Sequence, residues 1–522
     1  MKKSLFGQYI SMLKKEFKGY NGKSFLSDVI AGITVGAVAL PLAIGFGVTS
    51  VPDGPEYAAI GISAGLITAI LAGIITGLLG GGSFQISGPT GTMSVILCGL
   101  ILGKYGYAGM FAAVFLAGII RILAGVFRLG KLIRYIPKPV VTGFTAGIAL
   151  IIAFGQIGNF FGVSPSGVTT VEKVTSFFAT CLPDISIAAA VCSVLVTLLM
   201  FFYPKKIAKF IPASLGALIV ATAAVAVLQI FFSLDIRIID NISGSLINSE
   251  HFRFGDLSLE MLPHVIGPAF SIAMLCMIET LLCGTCAATM KKEEFNPNTE
   301  LVAQGVANLV IAFFGGVPST AALARTSVAI RAGGKTRIAG VFHSLFLLAC
   351  MFVLTGAIRL VPYPALAGVL VVTAYRMNDW KQIKCYFKGK MWSEIALFLV
   401  TMLVTVLKDL TTAVALGIVL AFVLYFFRRL RMKVGKKFLV EQSKSGDAVL
   451  LTVRGMYCFA NADKLVRAAD AMGEYATLTI DLAHVSYTDY TACETLKSLQ
   501  ENYGAALINV GADIQKTLNA IG

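Results

Sequence analysis

The sequence predicts a polytopic, all-α membrane domain followed by a small cytoplasmic α/β domain, and three observations predict it. Hydrophobic residues make up 57% of the 522 positions, charged residues only 14%, and the mean hydropathy is +0.81. Apolar runs long enough to enter a bilayer recur along most of the chain. Beyond residue 437 that pattern stops, and strand-like and helix-like segments alternate. So few charges cannot cover a globule, which excludes a soluble enzyme, a disordered chain and a secreted disulfide scaffold.

A membrane-crossing helix needs about 20 mostly apolar residues. Such runs lie near 27–48, 57–79, 88–103, 108–126, 139–158, 185–203 and 212–233. The remainder lie near 263–288, 299–314, 319–330, 338–358, 364–375, 391–407 and 410–427, which gives 14 spans. The runs 88–103, 319–330 and 364–375 are short. Residues 1–26 read as a Lys-rich, amphipathic cytoplasmic segment, 27–427 as the transmembrane domain, 428–437 as a basic linker and 438–522 as the α/β domain. No small-residue cleavage site follows the first apolar run, so that run is expected to be a retained transmembrane helix.

The formal charge is +15, but residues 1–437 carry a net +19 and residues 438–522 a net −4. The basic excess therefore belongs to the links between apolar runs, where a membrane protein needs it, and does not indicate nucleic-acid binding. With the N-terminus in the cytoplasm, 29 basic residues fall on the cytoplasmic side and 6 on the other. That asymmetry places both termini in the cytoplasm of a protein integral to the cell membrane. Of ten cysteines, Cys283 and Cys286 form a C-x-x-C pair inside an apolar run; without a second pair or a nearby His they read as packing.

Charges inside apolar runs are costly, and each is by default a functional hypothesis. Arg121 lies near the cytoplasmic end of its run, where it is expected to snorkel. Arg325 and Glu279 sit too deep for that. The alternative reading of both is a structural ion pair between helices.

Two of the short segments share a grammar. Gly80-Gly81-Gly82-Ser83-Phe84-Gln85-Ile86-Ser87-Gly88-Pro89-Thr90-Gly91-Thr92 and Gly315-Gly316-Val317-Pro318-Ser319-Thr320 each place Gly and Pro before small hydroxyl residues and a short apolar stretch. Pro and Ser/Thr favour helix starts. Half-helices in both halves of a chain point to a midplane site of an inverted-repeat transporter. Their N-termini would face each other, each with roughly half a positive charge and unpaired N–H groups. With Arg325 beside them, and hydroxyls at Thr90, Thr92 and Thr326, the pocket prefers an anion. A turn or kink is the plainer reading of either motif alone.

These residues carry a family resemblance. Leu40-Pro41-Leu42-Ala43-Ile44-Gly45-Phe46-Gly47, Gln85-Ile86-Ser87-Gly88-Pro89-Thr90-Gly91, and Ala324-Arg325-Thr326 with Arg331-Ala332-Gly333-Gly334-Lys335-Thr336 resemble the SulP anion-transporter family, in the right order and over nearly the whole chain. The resemblance implies 7+7 inverted repeats, with half-helices at spans 3 and 10. It further implies a core of spans 1–4 and 8–11 that moves against a gate of spans 5–7 and 12–14. The family's anion pocket would fall on Leu42, Phe46, Thr90, Ala324 and Arg325; with Gly91 and the hydroxyl residues Thr92 and Thr326 beside them, these are the expected substrate contacts. Leu42 stands where the family often has Gln, and Ala324 where it often has Ser, which leaves more of the binding to backbone N–H groups and Arg325. A homodimer is also implied.

Glu279 falls where family members carry an acidic residue on span 8. In sodium-coupled bicarbonate carriers, the resemblance implies, an Asp and a nearby hydroxyl hold Na⁺. Here the residue four positions on is Cys283, a poor ligand for a hard cation. Proton coupling through Glu279 is the expectation, with Na⁺ as the rival. Gly333-Gly334-Lys335-Thr336 looks like the end of a phosphate loop, but Ala329 replaces a required Gly, so it reads as a basic turn.

In the tail, Ala448–Arg454, Leu478–Leu482 and Ala505–Val510 read as strands, and Ala462–Met472, Thr491–Asn502 and Ala512–Ala520 as helices. The stretch Thr477-Leu478-Thr479-Ile480-Asp481-Leu482 … Asp489-Tyr490-Thr491-Ala492 resembles a STAS domain. Thr491 matches a position that related domains phosphorylate, but a cap by Asp489 or Thr491 is the preferred role. The tail shows no nucleophile–base set and no nucleotide loop, so regulation, folding or dimer contacts are expected and catalysis is not.

The sequence therefore predicts a secondary active transporter of a small anion, sulfate or bicarbonate, driven by H⁺ or, as the rival, Na⁺, with membrane lipid as its surroundings and no cofactor. Three other readings stand beside it. They are a sodium-coupled bicarbonate carrier, a nucleobase carrier on the same fold, and an anion channel or receptor signalling through the tail.

Overall fold

Each of the fourteen apolar runs carries a helix in the computed structural model. The structure describes the chain except residues 1–4, 53–54, 131–135, 168, 205, 210, 233–235, 240–243, 409, 432–437, 446–447, 473–476 and 522. The outer end of the N-terminal segment and most of the expected basic linker thus lie outside the described residues.

In chain order the first helices are α1 (Leu5–Glu16), α2 (Gly22–Thr49) and α3 (Pro55–Leu79). A short strand β1 (Ser87–Pro89) leads through one 3-10 turn, Gly91–Met93, into α4 (Ser94–Ile101). Then come α5 (Gly106–Val126), α6 (Lys138–Gly155), α7 (Ile157–Phe161), α8 (Thr170–Ser176), α9 (Ile187–Phe201), α10 (Ala213–Phe232), α11 (Leu262–Lys291) and α12 (Pro297–Phe314). Strand β2 (Ser319–Ala321) precedes α13 (Leu323–Arg331). After it follow α14 (Ile338–Val353), α15 (Thr355–Ile358), α16 (Tyr363–Met377), α17 (Trp380–Lys388), α18 (Trp392–Leu407) and α19 (Leu410–Arg431). Among the described residues six helical stretches are long and apolar enough to cross a membrane on their own: α2, most of α3, α5, α6 with α7, most of α10, and α11.

The chain divides into two compact units. The first comprises residues 1–131 and 148–377. Its helices approach closely through small residues: a Cβ at Gly65 of α3 would fall on the Ala43 carbonyl of α2, and one at Gly118 of α5 would lie 2.9 Å from the Gly305 carbonyl of α12. Between apolar helices such contacts supply the van der Waals packing that lipid cannot. The turn between α13 and α14 is pinned from α2. Asp28 accepts hydrogen bonds from Lys335 N (2.6 Å), Thr336 N (3.0 Å) and Thr336 Oγ1 (2.6 Å). The Gly333–Thr336 stretch is therefore a braced turn. Beside it, a buried ion pair joins Glu16 of α1 to Arg337 at 2.8 Å.

The second unit comprises residues 132–147 and 378–522, so it joins the start of α6 and α17–α19 to the tail. The tail sheet has the order β3-β4-β5-β6, from β3 (Leu439–Ser445), β4 (Ala448–Tyr457), β5 (Thr477–Thr488) and β6 (Ala506–Ile508). β3 pairs antiparallel with β4, and β4–β5 and β5–β6 pair parallel. Helices α20 (Ala462–Ala471), α21 (Tyr490–Tyr503) and α22 (Ala512–Ile521) complete it around Leu451, Val453, Leu465, Leu478, Ile480 and Leu496. β3 lies outside the sequence expectation because Glu441, Gln442, Ser443 and Lys444 carry no apolar alternation; it is an edge strand held by its partner. β5 also runs six residues past the expected Leu482, following β4 through two register shifts.

Candidate functional site

The two interrupted segments meet. β1 and β2 pair antiparallel, with Ser87 opposite Ala321, Gly88 opposite Thr320 and Pro89 opposite Ser319. Ala322 N extends the ladder to Ile86 O at 3.1 Å. Pro89 can lie in it because it occupies an end where no donor is needed. The turn into α4 and the start of α13 thus sit at the two ends of one three-residue ladder.

Arg325, in the first turn of α13, is 1% exposed. Its Nη2 donates to the Pro89 carbonyl, whereas Nε and Nη1 are buried and have no hydrogen-bond partner in the protein. A Cβ at Gly88 would lie 2.0 Å from Arg325 Nη1, so any larger residue here would displace the guanidinium from this position. Glu279 of α11 is half-buried and accepts from Thr90 Oγ1 at 3.2 Å and from Thr92 Oγ1. The carboxylate is thereby tied to the start of α4. A buried cation with two open donors, a hydroxyl-held carboxylate and two helix starts are therefore gathered at one ladder. Such donors favour a small anion.

The other expected contacts divide. Phe46 and Leu42 are buried on α2, and a Cβ at Gly91 would lie 3.0 Å from Phe46 Cε1, so Phe46 is against the α4 turn. Ala324 is exposed and marks an open side. Thr326 departs from expectation: its hydroxyl is buried and accepts from Ile86 N at 3.1 Å and from Cys283 Sγ at 3.4 Å. It fastens α13 to β1, and Cys283 turns to Thr326. The reason is rotational: on a helix, neighbours in sequence point about 100° apart. Among the described residues no cluster of three His, Cys, Asp or Glu could hold a metal.

Arg121 corrects the snorkelling expectation. It is fully buried and donates from Nη1 to Ser319 O (2.8 Å) and from Nη2 to Gln304 Oε1 (3.2 Å) and Thr280 Oγ1 (3.3 Å). It braces β2 from α5. A second group missed by the sequence reading is the polar face of α12. Glu300 Oε2 accepts from Gly81 N at 2.7 Å, Gln304 Nε2 donates to Ser87 Oγ at 2.6 Å, and Asn308 Oδ1 accepts from Ser319 N at 2.8 Å. Their spacing of four within an apolar run was the available signal, since it puts them on one helix face. Asn308→Leu leaves the Ser319 N–H buried and unpaired, which costs about 1–3 kcal/mol. The expected result is a lower midpoint of thermal unfolding in detergent, together with reduced function.

In the tail, Asp489 is the cap of α21: Oδ1 accepts from Ala492 N and Oδ2 from Phe459 N, both at 2.8 Å. Thr491 is not the cap; its hydroxyl accepts from Lys138 N at 3.1 Å, and Lys138 Nζ pairs with Glu494 at 3.0 Å. Asp489→Ala is expected to destabilise the tail by about 1 kcal/mol. Faster proteolytic cleavage of the tail in the intact chain would register it.

Comparison with known proteins bears on the whole arrangement. Residues 25–402 match the sulfate permease family. The putative sulfate transporter YvdB of Bacillus subtilis is 36% identical over 420 residues, 79% of this chain and 76% of that one. The bicarbonate transporter BicA of Picosynechococcus is 28% identical over 507 residues, 92% and 87% of the two chains. Among solved structures, the transmembrane domain of a cyanobacterial BicA superposes with a TM-score of 0.66 at 27% identity, covering 76% of this chain and 98% of that one. The structure of SLC26A9 superposes with a TM-score of 0.69 at 19% identity, covering 98% and 88%, a likeness of fold.

Proposed function

Because the chain belongs to the sulfate permease family, whose members are membrane anion transporters and not enzymes, we propose that it is a secondary active transporter of sulfate or bicarbonate. The observation that carries this reading is Arg325. A guanidinium buried at a helix start, with two donors unpartnered in the protein, is costly unless something negative completes it. Nε and Nη1 are the donors left for the oxygens of an inorganic anion.

The reading includes fourteen spans in 7+7 inverted repeats with both termini cytoplasmic, and a core that carries Thr90, Glu279 and Arg325 past a gate. Glu279 is the proposed proton site. It shares the α4 turn with the proposed anion, so neutralising it offsets the single charge of an arriving bicarbonate and one of the two charges of a sulfate. Na⁺ is less well supported, because a hard cation wants several oxygens, and Cys283 is engaged with Thr326. A nucleobase carrier is not favoured, since α13 offers a cation where a base would need a carboxylate. The proposed assembly is a homodimer.

The test is accumulation of radiolabelled sulfate and bicarbonate in proteoliposomes under imposed pH and Na⁺ gradients. Uptake above the equilibrium level, driven by the pH gradient, is the expected result. Equilibration without accumulation would instead identify a channel.

A further inference from the structure

The buried ladder is gripped by two guanidiniums. Arg325 Nη2 donates to the Pro89 carbonyl, and Pro89 stands opposite Ser319 in the ladder. The Ser319 carbonyl accepts from Arg121 Nη1 at 2.8 Å, and more distantly from Asn308 Nδ2 at 3.3 Å. The two cations therefore hold the two members of one cross-strand pair, Arg325 through β1 and Arg121 through β2. They differ in what they keep open. Arg325 leaves Nε and Nη1 without a partner in the protein, whereas both terminal nitrogens of Arg121 are engaged and its Nε alone is not.

Arg121 Nη2 is shared between two further groups, Thr280 Oγ1 at 3.3 Å and Gln304 Oε1 at 3.2 Å. Thr280 directly follows Glu279 on α11. Its hydroxyl also accepts from Ala321 N of β2 at 3.3 Å, and its carbonyl accepts from Gln85 Nε2 at 2.9 Å. Gln304 in turn donates from Nε2 to Ser87 Oγ of β1 at 2.6 Å and to Glu300 Oε1 at 2.9 Å. One amide thus joins a buried cation to a buried carboxylate. Arg121, Thr280, Glu300, Gln304 and Ser319 are all 0% exposed, so no bulk water stands ready to replace a partner that moves away.

Resting on the anion-transporter reading, we infer that Arg121 is a positioning residue for anion binding. Through the Pro89–Ser319 pair it fixes where the open donors of Arg325 stand, and through Thr280 it fixes the stretch of α11 that carries Glu279. It acts on these two groups and not on the anion. A planar guanidinium suits the task because its donors leave in set directions and can serve β2, α11 and α12 at once. A binding constellation is only as well placed as the shell that supports it. The plainer role for Arg121 is that of counter-charge to Glu300, and the two roles part in one experiment.

That experiment measures uptake of radiolabelled sulfate and bicarbonate by the intact chain in proteoliposomes. Arg121→Met is expected to raise KM about tenfold, as loss of a supporting shell does, while the maximal rate changes less than KM. The single variant leaves Glu300 buried without its cation, which threatens folding. The double variant Arg121→Met/Glu300→Gln removes both charges; it is expected to regain the thermal stability lost in Arg121→Met and to keep the raised KM. Arg121→Lys, which retains the charge without the fork, is expected to give a KM between those of wild type and Arg121→Met. A wild-type KM in Arg121→Met, or its return in the double variant, overturns the positioning role and leaves Arg121 as a counter-charge, while the transporter reading stands. A wild-type protein that moves neither anion overturns both.

Discussion

Arg325→Gln is expected to abolish concentrative anion uptake, and Arg325→Lys to lower it at least tenfold. The guanidinium holds the Pro89 carbonyl with Nη2 and keeps Nε and Nη1 for another partner. Gln removes the cation altogether. Lys keeps the charge but offers a compact ammonium, without the planar fork that grips a carbonyl and an oxyanion at once. Removing one partner of a buried, hydrogen-bonded ion interaction costs roughly 2–5 kcal/mol of binding. Size-exclusion profiles that match wild type would show that the ladder of β1 and β2 persists. Gly88→Ala should copy the Arg325→Gln phenotype, because its methyl group takes the space of the guanidinium. Normal uptake by Arg325→Gln would contradict the site.

Glu279→Gln is the second large effect. The substitution keeps the size of the side chain and an oxygen to accept from Thr90 or Thr92, but it cannot exchange a proton. Uptake driven by a pH gradient is expected to fall to background, while exchange of labelled for unlabelled anion continues at a rate that no longer varies with pH. Both assays use the same vesicles, so a folding defect would show as loss of exchange. If the variant retains the pH dependence of wild type, Glu279 is a bracing residue and coupling lies elsewhere.

Arg325 and Glu279 stand out in the sequence for a physical reason. A charge within an apolar run is expensive in lipid whatever the fold, so its exceptional status is visible in one dimension. The same logic failed for Arg121, because position near the end of a run suggested a route to water. In the fold, α11 and α12 cover that route, and Ser319, Thr280 and Gln304 receive the guanidinium. Thr326 failed for another reason. A hydroxyl beside a buried Arg is a reasonable ligand, but the face it occupies is set by the rotation of α13 against β1. The second strand edge, β3, was hidden because a solvated edge needs no apolar alternation.

From the sequence alone came the membrane character, the places where helices stop and restart, and the α/β nature of the tail. Each follows from local chemistry: lipid demands long apolar runs, Gly and Pro interrupt them, and alternation marks strands. Tertiary structure decided which polar groups find which partners. Only packing could turn Glu300, Gln304 and Asn308 toward the interrupted segments, set Gly88 under Arg325, and lay Phe46 and Ile152 on Gly91. The physical reason is that desolvation is paid residue by residue, whereas a hydrogen bond depends on two groups that the chain places far apart in sequence.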